Sequence, residues 1–160
     1  MVQTIDREIH QTRPFPSLQE QVVVNLLRTC RAVEESWVQH LKRTEGLSPS
    51  QYNILRILRG ARPQPVRISE IAERMITRDP DVTRLVDRLI TRGLARRDRD
   101  TEDRRVVLVE ITRAGLALLD RLDGPVDRYV RAAMAGLGQQ QLRALDALLN
   151  ELRAGIRSFA

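Results

Sequence analysis

The sequence predicts a mainly α-helical fold that carries a helix-turn-helix with a small β-hairpin wing, flanked by N- and C-terminal dimerisation helices. Three observations predict it. Hydrophobic residues make up 42% of the 160, yet Phe, Trp and Tyr together supply only 3%, so the core must be Leu, Val, Ile and Ala, which favours helices packed on helices. Two short helical patterns with their own start and stop signals stand in tandem up to Gly93, and two strand-like runs around a charged loop follow directly. Apolar stripes at helical spacing lie at both ends of the chain.

Residues 1–17 lack periodicity and contain Pro14, Phe15 and Pro16, the marks of an extended arm or irregular lead-in. From Leu18 the apolar residues fall at Val22 or Val23, Leu26, Leu27, Cys30, Val33, Trp37 and Leu41, one face of a long helix that Gly46 closes. Ser48-Pro49-Ser50-Gln51 then supplies an N-cap Ser, a Pro at the first helical position and a Gln three residues after the cap, so two backbone donors are satisfied reciprocally. The second helix shows Tyr52, Leu55 and Leu58, widened by Ile54 and Ile57, and Gly60, Pro63 and Pro65 stop it.

Ile68 reads as a short strand residue and Ser69 as the cap of a brief helix with Ile71, Ala72 and Met75 inward. After a turn at 76–78, Asp79 as cap and Pro80 at the first helical position start a further helix. Its buried face is Val82, Leu85, Val86 and Leu89, which leaves Thr83, Arg84, Asp87 and Arg88 outside. Past Gly93, residues 94–99 and 106–111 form the strands of a hairpin whose loop is Asp100-Thr101-Glu102-Asp103.

Thr112 caps the next helix, which carries Leu118, Leu119, Leu122, Val126, Tyr129, Val130, Ala133 and Met134 and should kink or break at Gly124-Pro125. The last helix carries Leu142, Leu145, Leu148, Leu149, Leu152 and Ile156 and ends in Phe159. A winged core is too small to cover the outer stripes, so 18–46 and 113–160 are expected to dimerise the chain around a helix-turn-helix at 47–112, giving one intertwined homodimeric domain behind the arm 1–17.

A net charge of +6 fits an anionic partner but does not choose between nucleic acid, acidic protein and lipid headgroup. Of the 27 basic residues only Lys42 is Lys, so the arginines reflect a chain-wide bias and their number carries little weight. A single cysteine, an N-terminus without an apolar run and the lack of any stretch of about eighteen apolar residues point to a cytoplasmic protein that does not engage a membrane. His10 and His40 stand alone, so no metal site is expected. There is no Gly-rich phosphate loop and no paired nucleophile and base, so neither catalytic residues nor a cofactor are expected.

The order helix, helix, hairpin points to double-stranded DNA as partner. Thr83, Arg84 and Arg88 are the candidate contacts of the recognition helix, since Arg offers paired donors to a guanine edge and Thr a methyl or hydroxyl to a base or phosphate. In the wing, Arg96, Arg97, Arg99, Arg104 and Arg105 nearly cancel against Asp98, Asp100, Glu102 and Asp103. Such a loop is poorly built as an electrostatic patch; its acids are expected to hold guanidinium groups so that one Arg reaches a narrow minor groove.

The segments LSPSQYNILRIL, ISEIAERM, DVTRLVDRLITRGLARR, DTEDRRVVLVEIT and RAGLALLDRL follow in order, and over about residues 18–122 the chain resembles the MarR family of transcriptional regulators. The resemblance implies an obligate winged helix-turn-helix homodimer, usually a repressor released from a pseudo-palindromic operator by a small molecule or an oxidant. By position it makes Thr83, Arg84 and Arg88 the recognition-helix contacts and Arg105 the minor-groove residue of the wing, beside Arg104, with Asp103 orienting it. Asp79-Pro80-Asp81 departs from the small hydroxyl residues that the family commonly places there, and puts acids where phosphates approach.

For a small aromatic or amphipathic effector, the resemblance singles out Trp37, Tyr52 and Cys30 as lining residues, although Trp37 and Tyr52 equally fit a core or dimer interface. Cys30 is also the only thiol that could sense an oxidant, but its place on the apolar helical face favours a buried, inert side chain. Two rival classes remain: a winged-helix module that docks an acidic protein, and a dimeric small-molecule carrier.

Overall fold

A computed structural model describes residues 3–77, 79–99, 103 and 106–158. The chain divides into two compact units, 1–119 and 120–160. In the first, the order is α1 (Ile5–Glu8), α2 (Leu18–Glu45), α3 (Pro49–Ala61), β1 (Val66–Arg67), α4 (Ile68–Arg74), α5 (Val82–Thr91), β2 (Ala95–Arg99), β3 (Val107–Ile111) and the start of α6 (Arg113–Ala133). The second holds the rest of α6 and α7 (Gln139–Arg157). Among the described residues no helix is long and apolar enough to cross a membrane.

Helix boundaries follow local chemistry. Ser17 caps α2 by accepting from the Glu20 N–H at 3.1 Å, and Gly46, at φ 62°, ends it in the left-handed conformation that a residue without Cβ adopts freely. The capping box of α3 is complete: the Gln51 N–H donates to Ser48 Oγ at 3.2 Å, and the Ser48 N–H donates to Gln51 Oε1 at 3.1 Å. Gly60 does not stop α3, which continues to Ala61.

The sheet has three antiparallel strands in the order β1-β3-β2. The hairpin lies where the alternation predicts it, with Ala95 opposite Ile111 and Arg99 opposite Val107. The third strand is Val66–Arg67, with Val66 buried opposite Val109. Ile68 is therefore not a strand residue but the first of α4, Ser69 lies inside that helix instead of capping it, and Ala72 is exposed. The reason is non-local: Val66 needs Val109 to complete its pairing and burial. The arm also contains structure, since α1 turns Ile5 inward.

Leu41, Leu47, Ile54, Leu55, Leu58, Val66, Ile71, Val86, Leu89 and Val109 are essentially inaccessible and form an aliphatic core, as the scarcity of aromatic residues requires. The outer stripes behave differently. Leu18, Val22, Val23, Leu27 and Val33 of α2 are exposed, and α7 has no buried residue at all, with Leu145, Leu148, Leu152 and Ile156 exposed. Pro125 sits inside α6 without ending it; proline removes one helical hydrogen bond, and the helix tolerates that loss here. Phe159 lies outside the described residues.

One glycine marks a tight approach. A Cβ at Gly115 would overlap the Leu94 carbonyl oxygen and stand 2.7 Å from Ile111 Cγ1. That carbonyl cannot retreat easily, because the Thr112 N–H donates to it at 3.1 Å while Thr112 Oγ1 donates to Gly93 O at 2.7 Å and accepts from the Gly115 N–H at 3.1 Å. Gly115→Ala should therefore lower stability by about 1 to 3 kcal/mol, the usual cost of overpacking. Chemical denaturation checks this, and an unchanged midpoint would mean that the root of the wing yields.

Candidate nucleic-acid interface

The helix-turn-helix is α4, a turn and α5, and its geometry comes from the α3 scaffold beneath it. Asn53 Oδ1 accepts from the Ile76 N–H at 2.8 Å, which ties the turn to α3. Met75, Val82, Leu85, Val86 and Leu89 are buried, so α5 is held by its apolar face. Thr83, Arg84 and Arg88 consequently lie on the opposite, exposed side of a ten-residue helix.

The start of α5 differs from the expectation. Its N-cap is Asp81 and its first residue Val82, whereas Asp79 and Pro80 belong to the preceding turn. Two acids compete for the cap. Asp79 Oδ1 accepts from the Asp81 N–H at 2.9 Å, a side-chain turn, and this leaves Asp81 to accept from the Arg84 N–H at 3.3 Å. The same Asp81 carboxylate lies 3.2 Å from Arg84 Nε. Its charge is thus turned to the positive end of the helix and to a neighbouring guanidinium.

Among the described residues of the wing, Arg96 and Arg97 pair with acids outside the set Asp98, Asp100, Glu102 and Asp103. Arg96 Nη2 is 2.7 Å from Glu110 Oε2 directly across the β2–β3 pair. That hydrogen bond and charge, with Asp98 adding to them, raise the Arg96 pKa above its ordinary value. Arg97 Nη1 is 2.7 Å from Asp87 Oδ1, which fastens β2 to the recognition helix. The first pair was available from hairpin register; the second needs the tertiary fold. Asp103 lies at the loop, where its carbonyl accepts from the Val106 N–H at 2.9 Å. Arg104 and Arg105, the other expected wing contacts, and the loop acids Asp100 and Glu102 lie outside the described residues.

Of the three effector candidates, two come together. Trp37 of α2 meets Tyr52 of α3 edge to face, with centroids 5.4 Å apart, and stacks on His40 at 5.9 Å. Arg56 Nη1 donates to Tyr52 Oη at 3.0 Å, and its guanidinium lies 5.8 Å from the ring centroid. Arg56 and His40 are the members of this group that the sequence did not single out; Arg56 stands four residues after Tyr52 and His40 three after Trp37, each on the same helical face, and those spacings were the available signal. Cys30 stands about two turns back along α2 and is exposed in the protomer, not buried, because the apolar face it shares is itself uncovered. Among the described residues, no group of three His, Cys, Asp or Glu side chains is placed to hold a metal.

Known proteins match this arrangement. The MarR family model matches residues 47–107, which span the helix-turn-helix and most of the hairpin. A MarR transcription factor from Planctomyces limnophilus is 38% identical over 86% of this chain and 98% of its own, with a TM-score of 0.67. A MarR family regulator from Streptomyces coelicolor, solved in complex with DNA, has a TM-score of 0.78 at 23% identity and covers 89% of this chain and 94% of its own. The Bordetella bronchiseptica regulator BpsR, whose DNA binding is regulated by 6-hydroxynicotinic acid, has a TM-score of 0.76 at 23% identity, with 88% and 98% covered. A buried-backed helix with exposed Thr and Arg, a β-wing beside it and these likenesses agree: the chain belongs to the MarR family of winged helix-turn-helix, DNA-binding transcriptional regulators, which are not enzymes.

Proposed function

We propose that the protein is a ligand-responsive repressor that binds a pseudo-palindromic operator as a homodimer. One observation carries the reading of DNA: α5 is anchored through Val82, Leu85, Val86 and Leu89 while Thr83, Arg84 and Arg88 face outward. In this reading α5 enters the major groove and Asp103, Arg104 and Arg105 serve the wing in the minor groove. Residues 18–46 and 113–160 supply the dimer contacts, and 47–112 the reading head. Repression follows from occupancy, because a dimer seated on two half-sites about 10 bp apart excludes other proteins from that face.

The test is selection of bound sequences from a random DNA pool, followed by salt titration on the winning site. A twofold-related site with a steep loss of affinity in salt is the expected result. Binding without sequence preference, together with tight binding of an acidic protein, would favour the interaction-module reading instead.

Effector binding is supported by the Trp37, Tyr52 and Arg56 cluster, which sets aromatic faces beside a guanidinium. An aromatic carboxylate suits that chemistry: the ring packs on Trp37 and Tyr52 and the carboxylate pairs with Arg56. The 6-hydroxynicotinic acid of the Bordetella relative belongs to that class. Titrating aromatic acids while following Trp37 fluorescence and operator release tests both halves; quenching without release would indicate a carrier.

A further inference from the structure

The end of α5 carries a contact that neither the reading of DNA nor the effector cluster uses. Arg92 follows the last residue of α5 and precedes Gly93, whose φ of 69° turns the chain toward β2. Its backbone N–H stays with its own helix, donating to Arg88 O at 3.2 Å. Its side chain reaches across the fold: Nη2 donates to Glu45 O at 3.0 Å and Nη1 to Gly46 O at 3.2 Å. These are the last carbonyl of the 28-residue α2 and that of its C-cap Gly46, where helical donors run out and the dipole is negative. A planar guanidinium is suited to two adjacent acceptors at once, as a single ammonium is not. The receiving end is firm, because Leu41 and Leu47 on either side of it are fully buried.

We infer that Arg92 is a positioning residue for operator reading. Its fork clamps the junction of recognition helix and wing to the C-terminal end of α2, and so fixes the angle at which Thr83, Arg84 and Arg88 are presented. Because α2 also carries an uncovered apolar stripe, the clamp ties each reading helix to the helix proposed to pair the protomers. In the dimer it would set the separation of the two recognition helices, and through it the preferred half-site spacing. The inference rests on the proposed DNA reading by α5.

The experiment compares wild type, Arg92→Ala and Arg92→Lys on the selected operator, on the same operator with its half-sites moved by one base pair, and on random DNA. Wild type should lose affinity sharply when the spacing changes. Arg92→Ala should bind the native operator about ten-fold more weakly, a fraction of what bidentate base contacts contribute. It should discriminate less between spacings, bind random DNA as before and keep its salt slope. Arg92→Lys should fall between the two.

Unchanged affinity and spacing preference in Arg92→Ala would overturn the clamp. So would equal weakening on all DNA with a salt slope reduced by about one per protomer, which would make Arg92 a phosphate contact. If both variants unfold, Arg92 is structural and the inference fails. A wild type that cannot tell operator from random DNA would sink the DNA reading itself, an outcome distinct from all of these.

Discussion

Leu148→Glu is expected to abolish dimer formation and, with it, operator binding. The stripe of α7 comprises Leu145, Leu148, Leu152 and Ile156, and Leu148 is 61% exposed in the protomer. A 19-residue helix without one buried side chain does not hold its shape through propensity alone, since helical stability in proteins comes mainly from packing an apolar face. The stripe of α2 makes the same demand, with Leu27 66% exposed. A second copy of the chain is the proposed cover for both.

The size of the effect follows from symmetry. Burying one Leu contributes about 1.5 to 3 kcal/mol, and a twofold interface counts each residue twice. The variant forfeits that contribution and also places two carboxylates in an apolar stripe, so the loss should reach on the order of 5 kcal/mol or more, above a thousand-fold in the dimer dissociation constant. Sedimentation equilibrium reads it directly. Leu148→Ala should lie in between, and a Leu148→Glu protein that remains dimeric at micromolar concentration would show that α7 is covered by something else.

Elements that depend on residues three or four apart are legible in the sequence. The Ser48–Gln51 capping box, the Gly46 stop, the Thr112 cap and the exposed set Thr83, Arg84 and Arg88 are all of this kind, and each stands in the structure as read. Illegible elements depend on partners far along the chain or on local competition. Strand β1 exists only because Val66 meets Val109, and Asp87 becomes part of the wing only when the fold brings Arg97 to it. The cap of α5 was decided between two acids two residues apart. Sequence rules favoured Asp79 followed by Pro80, whereas the structure uses Asp79 to shape the turn and Asp81 to cap. That exchange bears on the interface, because it turns an acid expected to meet phosphate into a partner of Arg84.

Arg84→Ala is expected to remove most sequence-specific affinity while leaving the fold intact. The side chain is 77% exposed and packs into no core, so thermal stability should hardly change. Its contact with Asp81 is a solvent-exposed pair of the sort that contributes well under about 1 kcal/mol, and it costs little to exchange for a base edge. A bidentate Arg–guanine contact discriminates by about 1 to 3 kcal/mol. Two protomers on two half-sites double this to about 2 to 6 kcal/mol, a loss of roughly thirty-fold at least and above ten-thousand-fold at most. The loss should concentrate at one base pair per half-site, so selection repeated with the variant should return the same operator degenerate at that position alone. Arg84→Lys should bind random DNA as the wild type does without restoring the preference, because an ammonium supplies charge without the fork. Full operator affinity in Arg84→Ala would remove Arg84 from the reading head. A uniform loss on every sequence, with a salt slope smaller by about one per protomer, would reassign it to phosphate and pass specificity to Thr83 and Arg88.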